Sequence, residues 1–363
     1  MAEIHNLCFN MQMITDYQWI DDNSEIEQLT LSLNATDEVA FDSEFERVSS
    51  YYPKPALFQL RIDDRYYLLD MKKISDHHIF TRLLNNVILH SGSEDLEILY
   101  NYNKQLPNTV FDTQIAASLC GYGLHFSYQN IVNELLGVEL SKAHSRSDWM
   151  QRPLSKEQLH YALEDVAYLP EIKQILLDKL QSQNRESWYW HLMTQKLNAV
   201  IQSSHIDKTF VKMVKSNRFN YPQQQLLYSL LQWREQLAIK RDRPRQWMLK
   251  NDDIIKITLY KPDSEKKLID KIGLYPKFVK YNAQSIFNLY KTAADIAENI
   301  LPKTDKLSSQ QGATFTNMKQ QLNDRCTQLG ISPALIINTA DLKSLVAANK
   351  DLSSIDMWQI INQ

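Results

Sequence analysis

The stretch VAFDSEFER, residues 39–47, joins an apolar strand directly to two acids that are separated by one small residue. Its first three residues have the composition of a buried strand, and Asp42 and Glu44 follow at once. Because side chains alternate across a strand, both carboxylates are predicted to point to the same face. They would repel each other unless a divalent cation lay between them, and oxygen ligands suit Mg²⁺ or Mn²⁺. A lone D-x-E pair is also common at solvated strand ends, so this hypothesis needs further residues.

Strand and helix signals alternate on both sides of this stretch. Short apolar runs bounded by turn residues predict strands at 38–45, 55–62, 65–71, 85–92 and 108–113. Helical patterns lie at 94–102 and 127–137, and Gly137 is placed to end the second helix. Strands interleaved with helices in this way predict a mixed α/β sheet.

From Ser155 onward the pattern becomes helical. The segment SKEQ, residues 155–158, is a capping box, in which Ser155 caps the helix and Gln158 bonds back. Further helices are predicted from the periodicity of apolar residues at 223–242, 251–258, 264–272, 283–301, 315–330, 332–338 and 339–348. The predicted fold is an α/β domain at residues 1–205, followed by two small all-helical bundles at 206–301 and 302–363.

The charge is distributed unevenly along the 363 residues, although the net charge is only −3. Residues 1–205 carry twelve more acids than bases, whereas residues 206–301 carry eight more bases than acids. This asymmetry suggests a metal-dependent site joined to a module that binds a polyanion. Widely spaced cysteines and the absence of a signal-like or membrane-length apolar run lead us to expect a cytoplasmic protein without membrane attachment.

Three further side chains strengthen the metal-site hypothesis. Asp95 follows a buried strand and begins a helix, next to the small residues 91–93. Tyr161 and Asp165 are four residues apart, so they lie on one helical face. Each feature alone is ordinary, but their order across an α/β domain is not.

These motifs resemble the DEDDy group of 3′→5′ exonucleases, and within it the ribonuclease D family. The segments FDSEFER (41–47), LHSGSEDLEIL (89–99), FDTQIAASLCGYG (111–123) and DWMQRPLSKEQLHYALEDVAYL (148–169) carry the resemblance. Ser43 stands where threonine is more usual, and Ser91-Gly92 replaces a more usual Ala-Ala pair. Residues 226–249 resemble the helical HRDC module, and 302–363 are where a second, divergent HRDC-like module would be expected.

The resemblance implies a ribonuclease H-like exonuclease domain with two divalent metal ions, Mg²⁺ or Mn²⁺. Asp42 would bridge both ions, Glu44 and Asp165 would complete the first site, and Asp95 would hold the second through water. Tyr161 would hydrogen-bond the attacking water. The implied activity is 3′→5′ exoribonuclease trimming of structured RNA with a free 3′ end, such as tRNA precursors, by a monomer that releases nucleoside 5′-monophosphates.

Basic residues cluster after the first helix of the middle module, with two tryptophans nearby. We expect them to contact the nucleic-acid backbone; they are Lys240, Arg241, Arg243, Arg245 and Lys250. A solvated helix end is the plainer reading of this cluster. Two alternative functions stay open at this point: a DNA 3′→5′ exonuclease of the same superfamily, and a catalytically silent RNA-binding scaffold. The complete carboxylate set counts against the scaffold.

Overall fold

A mixed six-stranded sheet forms the centre of the first part of the chain, with strand order β1-β4-β3-β2-β5-β6. The computed structural model describes residues 14–76, 78, 80–140, 147–202, 205–293, 295–296 and 307–362. The strands are β1 (Gln18–Ile20), β2 (Val39–Glu46), β3 (Lys54–Ile62), β4 (Arg65–Asp70), β5 (Asn86–Leu89) and β6 (Thr109–Asp112). β4 pairs antiparallel with β3 and parallel with β1, and β5 pairs parallel with both β2 and β6. The predicted mixed sheet is therefore confirmed.

Helices cover the sheet, and several of their ends follow from local sequence. The helices are α1 (Asn23–Ser32), α2 (Phe80–Leu83), α3 (Ser93–Asn103), α4 (Thr113–Leu119), α5 (Tyr128–Leu136), α6 (Lys156–Ala167), α7 (Leu169–Ser182) and α8 (Glu186–Gln202). Gly137 ends α5 in the left-handed conformation, at a φ of 70° that glycine adopts readily. The predicted capping box of Ser155 and Gln158 is present at the start of α6.

The chain packs as two units. The described residues within 1–46, 55–202 and 305–363 form one, here called the sheet unit, and those within 47–54 and 203–304 form the helical unit. The helices of the helical unit are α9 (His205–Ser216), α10 (Tyr221–Arg241), α11 (Arg245–Met248), α12 (Asn251–Tyr260), α13 (Glu265–Lys267), which runs into a π-helix (Leu268–Ile272), and α14 (Pro276–Thr292). None of the helices in the described part of the chain is long and apolar enough to span a membrane.

Residues 302–363 were predicted to form a domain of their own, and their packing differs from that prediction. The segment contains α15 (Ser309–Leu329), α16 (Thr339–Ala347) and α17 (Asp356–Ile360). Its buried Met318, Leu322 and Cys326 belong to the same apolar core as the sheet. The guanidinium group of Arg185 also donates to the carbonyl oxygen of Leu329. The segment therefore packs within the sheet unit, where its apolar side chains share the core of the sheet. Its kinship to an HRDC module stays a prediction.

Three predicted helices differ from the structure by more than a few residues, and one of them, predicted at 315–330, begins earlier, at Ser309. The segment 332–338 forms only a 3₁₀ turn at Pro333–Leu335, because Asn338 already caps the next helix. The helix predicted at 283–301 begins earlier, at Pro276, since proline fits the first turn of a helix. It ends at Thr292, where Ala293 has an extended ψ of 121°. Residues 297–301 lie outside the described residues.

Candidate active site

The carboxyl ends of three parallel strands meet at one edge of the sheet. β2 aligns with β5 at Val39 and Val87, and β5 aligns with β6 at Leu89 and Asp112. Beyond this register β2 carries Asp42 and Glu44, on the opposite face from the buried Phe41 and Ser43. Ligand sites in sheets of this kind lie at the carboxyl ends of the strands. The D-x-E pair therefore lies at the end of the sheet where a ligand site is expected.

Helix α6 brings the other two predicted side chains to this edge. Its Ala162 and Leu163 are fully buried in one apolar cluster with Ala56 and Leu57 of β3. At its carboxyl end Arg61 donates to the carbonyl oxygen of Ala167 and forms a bidentate ion pair with Glu171, with both N–O distances at 2.8 Å. Since the helix is fixed at its cap and at its end, the positions of Tyr161 and Asp165 between them are determined.

The carboxylates of Asp42, Glu44 and Asp165 form one tight group. One oxygen from each can be chosen so that all three lie within 4.8 Å of one another. Burial raises the pKa of Asp42 well above its usual range, and the charges of Asp165 and Asp95 raise it further. Burial and the charge of Asp42 raise the pKa of Glu44 to about 9. The three groups therefore lie too close, and in too little water, to be ionised together without a cation.

This donor set fits a divalent metal ion. It consists of carboxylate oxygens, which Mg²⁺ and Mn²⁺ prefer, and it carries the negative charge that such an ion would neutralise. Within the described residues, no other group of three or more histidine, cysteine, aspartate or glutamate side chains has this geometry.

Tyr161 lies beside the carboxylates and is buried, with 8% of its surface exposed. Its side chain hydrogen-bonds Asp165, and its ring packs against Trp149 at a centroid distance of 6.0 Å. Burial and the charges of Asp165, Glu44 and Asp42 raise the pKa of the phenol far above its ordinary value. The hydroxyl group therefore keeps its proton, which it donates to Asp165.

Asp95 lies close to this group but outside it. Asp95 is buried near the start of α3, and its carboxylate accepts a hydrogen bond from the hydroxyl group of Ser43. Its charge nevertheless raises the pKa values of Asp42 and Glu44, so the four acids share one electrostatic environment. Burial raises the pKa of Asp95 itself to about 6, although the bond from Ser43 opposes this shift. The structure thus brings three of the four predicted acids into direct proximity and places the fourth beside them.

Comparison with known proteins is consistent with this geometry. A 3′-5′ exonuclease family model matches residues 17–181, and an HRDC domain model matches residues 223–290. A ribonuclease D from Shewanella sp. (strain ANA-3) is 31% identical over 323 residues, which cover 87% of this chain and 82% of the relative. This chain belongs to the ribonuclease D family. The predicted enzyme class, a ribonuclease D-like 3′→5′ exoribonuclease, is confirmed by this membership.

Further relatives agree with the family assignment. A ribonuclease D from Xanthomonas oryzae pv. oryzae is 29% identical, and the match covers 94% of each chain. The solved structure of Escherichia coli RNase D superposes with a TM-score of 0.81 at 26% identity, covering 91% of this chain and 90% of that one. The catalytic core of RRP6 from Trypanosoma brucei, at 19% identity and a TM-score of 0.58, shares the fold.

A buried ion pair of this ribonuclease D family member was missed by sequence reasoning. Asp112 at the end of β6 is fully buried and pairs with the ammonium group of Lys196 on α8. Its carboxylate also accepts from the backbone N–H groups of Ser91 and Gly92 at 3.0 and 3.2 Å. These two residues lead into α3, so Asp112 fixes the turn that places Asp95. Asp112 lies in a family-like segment, but no local signal indicates a lysine 84 residues downstream.

The five basic residues predicted to contact nucleic acid have different environments in the helical unit. Lys240 and Arg241 are exposed in the last turn of α10, and Lys250 is exposed before α12. Arg243 donates to the carbonyl oxygen of Ser49 at 3.0 Å. Arg245 forms an ion pair with Glu235, with an N–O distance of 2.6 Å, and its guanidinium group lies 4.5 Å from the centre of the Tyr51 ring. Arg243 and Arg245 therefore have partners within the unit, and the role of all five residues stays a prediction.

Proposed function

We propose that this protein trims the 3′ ends of structured RNA, such as tRNA precursors, by two-metal-ion hydrolysis that releases nucleoside 5′-monophosphates. The observation that carries the proposal is the group of three closely spaced, partly buried carboxylates, Asp42, Glu44 and Asp165, beside the protonated hydroxyl group of Tyr161. A scaffold without activity would gain nothing from such mutually repelling, partly buried acids, since they reduce the stability of the fold.

The proposed ligand roles follow the family pattern. Asp42 would contact both ions, Glu44 and Asp165 would complete one site, and Asp95 would serve the other through water. This last role agrees with the position of Asp95 just outside the group of three and with its bond from Ser43. The ions are proposed to be Mg²⁺ or Mn²⁺, and when bound they would acidify a water molecule and offset charge on the phosphate.

The protein side chains would do the positioning. The Tyr161 hydroxyl group keeps its proton and donates it to Asp165, so its oxygen would accept a hydrogen bond from the attacking water and orient that water along the line of displacement. Asp165 accepts from Tyr161 and thereby fixes the hydroxyl group. Trp149 packs against the same ring and restricts its motion.

The choice of RNA as the substrate rests on the relatives. The curated relatives reported above are ribonucleases D, and the Escherichia coli enzyme is described as an exoribonuclease involved in structured RNA processing. The basic charge of residues 206–301 would attract any nucleic acid, and phosphate contacts carry little sequence information. A DNA exonuclease of the same superfamily is therefore the alternative that the experiment must separate.

The organisation of the protein is proposed in the same terms. Residues 1–205 would hold the exonuclease domain and residues 206–301 the nucleic-acid-binding HRDC domain, while residues 302–363 would support the first of these. We propose that the protein acts as a cytoplasmic monomer.

A comparison of matched substrates tests this function. A tRNA precursor with a 3′ extension, a DNA of the same sequence and a circular RNA are incubated with the protein in Mg²⁺, in Mn²⁺ and in chelator. We expect stepwise shortening of the linear RNA from its 3′ end, release of 5′-monophosphates, and no hydrolysis in chelator. Cutting of the circle would show an endonuclease, and faster shortening of the DNA would assign the protein to the alternative.

A further inference from the structure

A cavity of about 410 Å³ opens on the helical unit, away from the residues used so far except Arg241. It is lined by Arg241 at the end of α10 and by Lys277, Phe278, Tyr281 and Asn282 in the first turns of α14. We call it the Tyr281 cleft. It lies within the size range of small-molecule and nucleotide sites, which is roughly 300–1,000 Å³.

The Tyr281 cleft carries two positive charges, on the side chains of Arg241 and Lys277. Arg241 and Lys277 are both exposed, and in the part of the chain that the structure describes neither of them forms an ion pair. Helix α14 carries three lysines and no acid along Pro276–Thr292. The acid next to Arg241 in sequence, Asp242, accepts a hydrogen bond from the backbone N–H of Tyr51 at 3.0 Å. The two cations are thus free to meet an anion.

The cleft has two aromatic side chains, of which Phe278 is packed against its neighbours and Tyr281 is exposed to solvent. Phe278 is half-buried and packs edge-on against Trp233, at a centroid distance of 6.4 Å. Asn282 is buried and donates to the carbonyl oxygen of Phe278 at 2.8 Å, which fixes this turn of the helix. Tyr281, in contrast, exposes 65% of its surface. A large exposed ring beside two cations is the arrangement on which single-stranded nucleic acids stack their bases.

We propose that the Tyr281 cleft binds one nucleotide of single-stranded RNA, with its base on the Tyr281 ring and the adjoining phosphates on Arg241 and Lys277. The proposal rests on the proposed function and adds to it a defined contact for the single-stranded part of the substrate. It differs from the basic cluster predicted from sequence, with which it shares only Arg241. The contact is indifferent to base identity, because every base has a stacking face.

Binding of a fluorescently labelled 12-nucleotide oligouridylate to the full-length protein, followed by fluorescence anisotropy in chelator, tests the cleft without hydrolysis. Tyr281→Ala removes the ring, and Tyr260→Ala is its control, because Tyr260 is also 65% exposed and lies in the same unit. Lys277→Gln removes a cleft charge, and Lys266→Gln removes the same charge elsewhere in the unit. Thermal unfolding of each variant confirms that it is folded.

We expect Tyr281→Ala to weaken binding roughly 5- to 150-fold, which is the loss of one stacked base, while Tyr260→Ala binds as the wild type does. Lys277→Gln should reduce the slope of log affinity against log salt by about 0.7, the value for one phosphate of a single strand, and Lys266→Gln should not. Tyr281→Ala should weaken the binding of a duplex RNA less than the binding of the single strand, because paired bases cannot stack on the ring.

Equal affinities for Tyr281→Ala and Tyr260→Ala would overturn the proposal, as would an equal loss on duplex RNA. Hydrolysis by the wild-type protein distinguishes this failure from failure of the proposed function. If the wild type releases 5′-monophosphates but Tyr281→Ala leaves binding unchanged, only the cleft is refuted. If Tyr281→Ala weakens binding but the wild type releases no product in metal, the cleft stands and the proposed function fails.

Discussion

At the scale of single residues, the feature that most affects behaviour is the repulsion between Asp42, Glu44 and Asp165. Burial and mutual charge raise their pKa values, so in the absence of a cation the folded protein holds protons that the unfolded chain would release. The stability of the metal-free protein is therefore linked to pH through these groups.

Raising the pH should destabilise the metal-free protein. The pKa of Glu44 is about 9 in the fold and near 4.5 in the unfolded chain, so between these values the folded state binds the extra proton. The free energy of unfolding should fall as the pH rises across this range, by up to about 1.4 kcal/mol per pH unit for each such group. Urea unfolding at pH 5 to 9 in chelator measures this pH dependence of the free energy of unfolding. Mg²⁺ and Glu44→Gln should each flatten the dependence, and stability that rises with pH in chelator would contradict the prediction.

The roles proposed for Asp42 and Tyr161 can be separated by two substitutions. Asp42→Asn removes a charge that both ions would need, so we expect nearly complete loss of hydrolysis and weaker Mn²⁺ binding by calorimetry. Tyr161→Phe keeps the buried ring and deletes only the hydroxyl group. Its metal and RNA binding should stay near wild type, while the single-turnover rate falls by about 10²–10⁴-fold or less. A wild-type rate for Tyr161→Phe would show that the tyrosine serves packing alone.

At the scale of elements, helix α6 links local sequence to the site. Its capping box joins Ser155 and Gln158 through bonds of 3.0 and 3.2 Å, and α6 then carries Tyr161 and Asp165 in its second and third turns. An equivalent box at Ser308 and Gln311 begins α15, which carries none of the proposed site residues. The capping box of α15 therefore serves as a control for the effect of the α6 capping box on catalysis.

Removal of either cap should cost similar stability but have different effects on activity. We expect Ser155→Ala and Ser308→Ala each to lower the free energy of unfolding by about 0.5–2 kcal/mol. Only Ser155→Ala should also slow hydrolysis, because fraying of α6 displaces the side chains beside the metal ligands. Denaturant unfolding and single-turnover assays measure the two effects. If Ser308→Ala slowed hydrolysis as much as Ser155→Ala does, the loss of activity would result from lower overall stability and not from the position of α6.

At the scale of the whole molecule, the last segment of the chain completes the core of the sheet unit. Leu322 of α15 and Leu69 of β4 belong to one core, whereas Leu230 of α10 belongs to the core of the helical unit. All three side chains are almost fully buried, so truncation of any of them to alanine should cost about 2–5 kcal/mol.

The two cores should respond separately in calorimetry. Leu322→Ala should lower the same unfolding transition as Leu69→Ala, and Mg²⁺ should raise that transition, because the carboxylates lie in the sheet unit. Leu230→Ala should lower the other transition. If Leu322→Ala left the Mg²⁺-sensitive transition unchanged, residues 302–363 would be an independent domain, as the sequence alone predicted.

The sequence by itself determined what depends on neighbours along the chain. Alternation along β2 placed Asp42 and Glu44 on one face of that strand. Helical spacing placed Tyr161 and Asp165 on one face of α6, and the capping box at Ser155 marked where α6 begins. The prediction of a metal site came from these local patterns together, since close carboxylates imply a cation whatever the fold.

Only the tertiary structure decided which distant residues meet. The bond between Ser43 and Asp95, the pairing of Asp112 with Lys196, and the union of Leu322 with the core of the sheet join residues from about 50 to more than 250 positions apart. Local periodicity carries no record of such partners, because each side chain would show the same pattern against any suitable surface. Closure of the chain around one core selects the partner, and with it the final position of Asp95 and the packing of the last three helices.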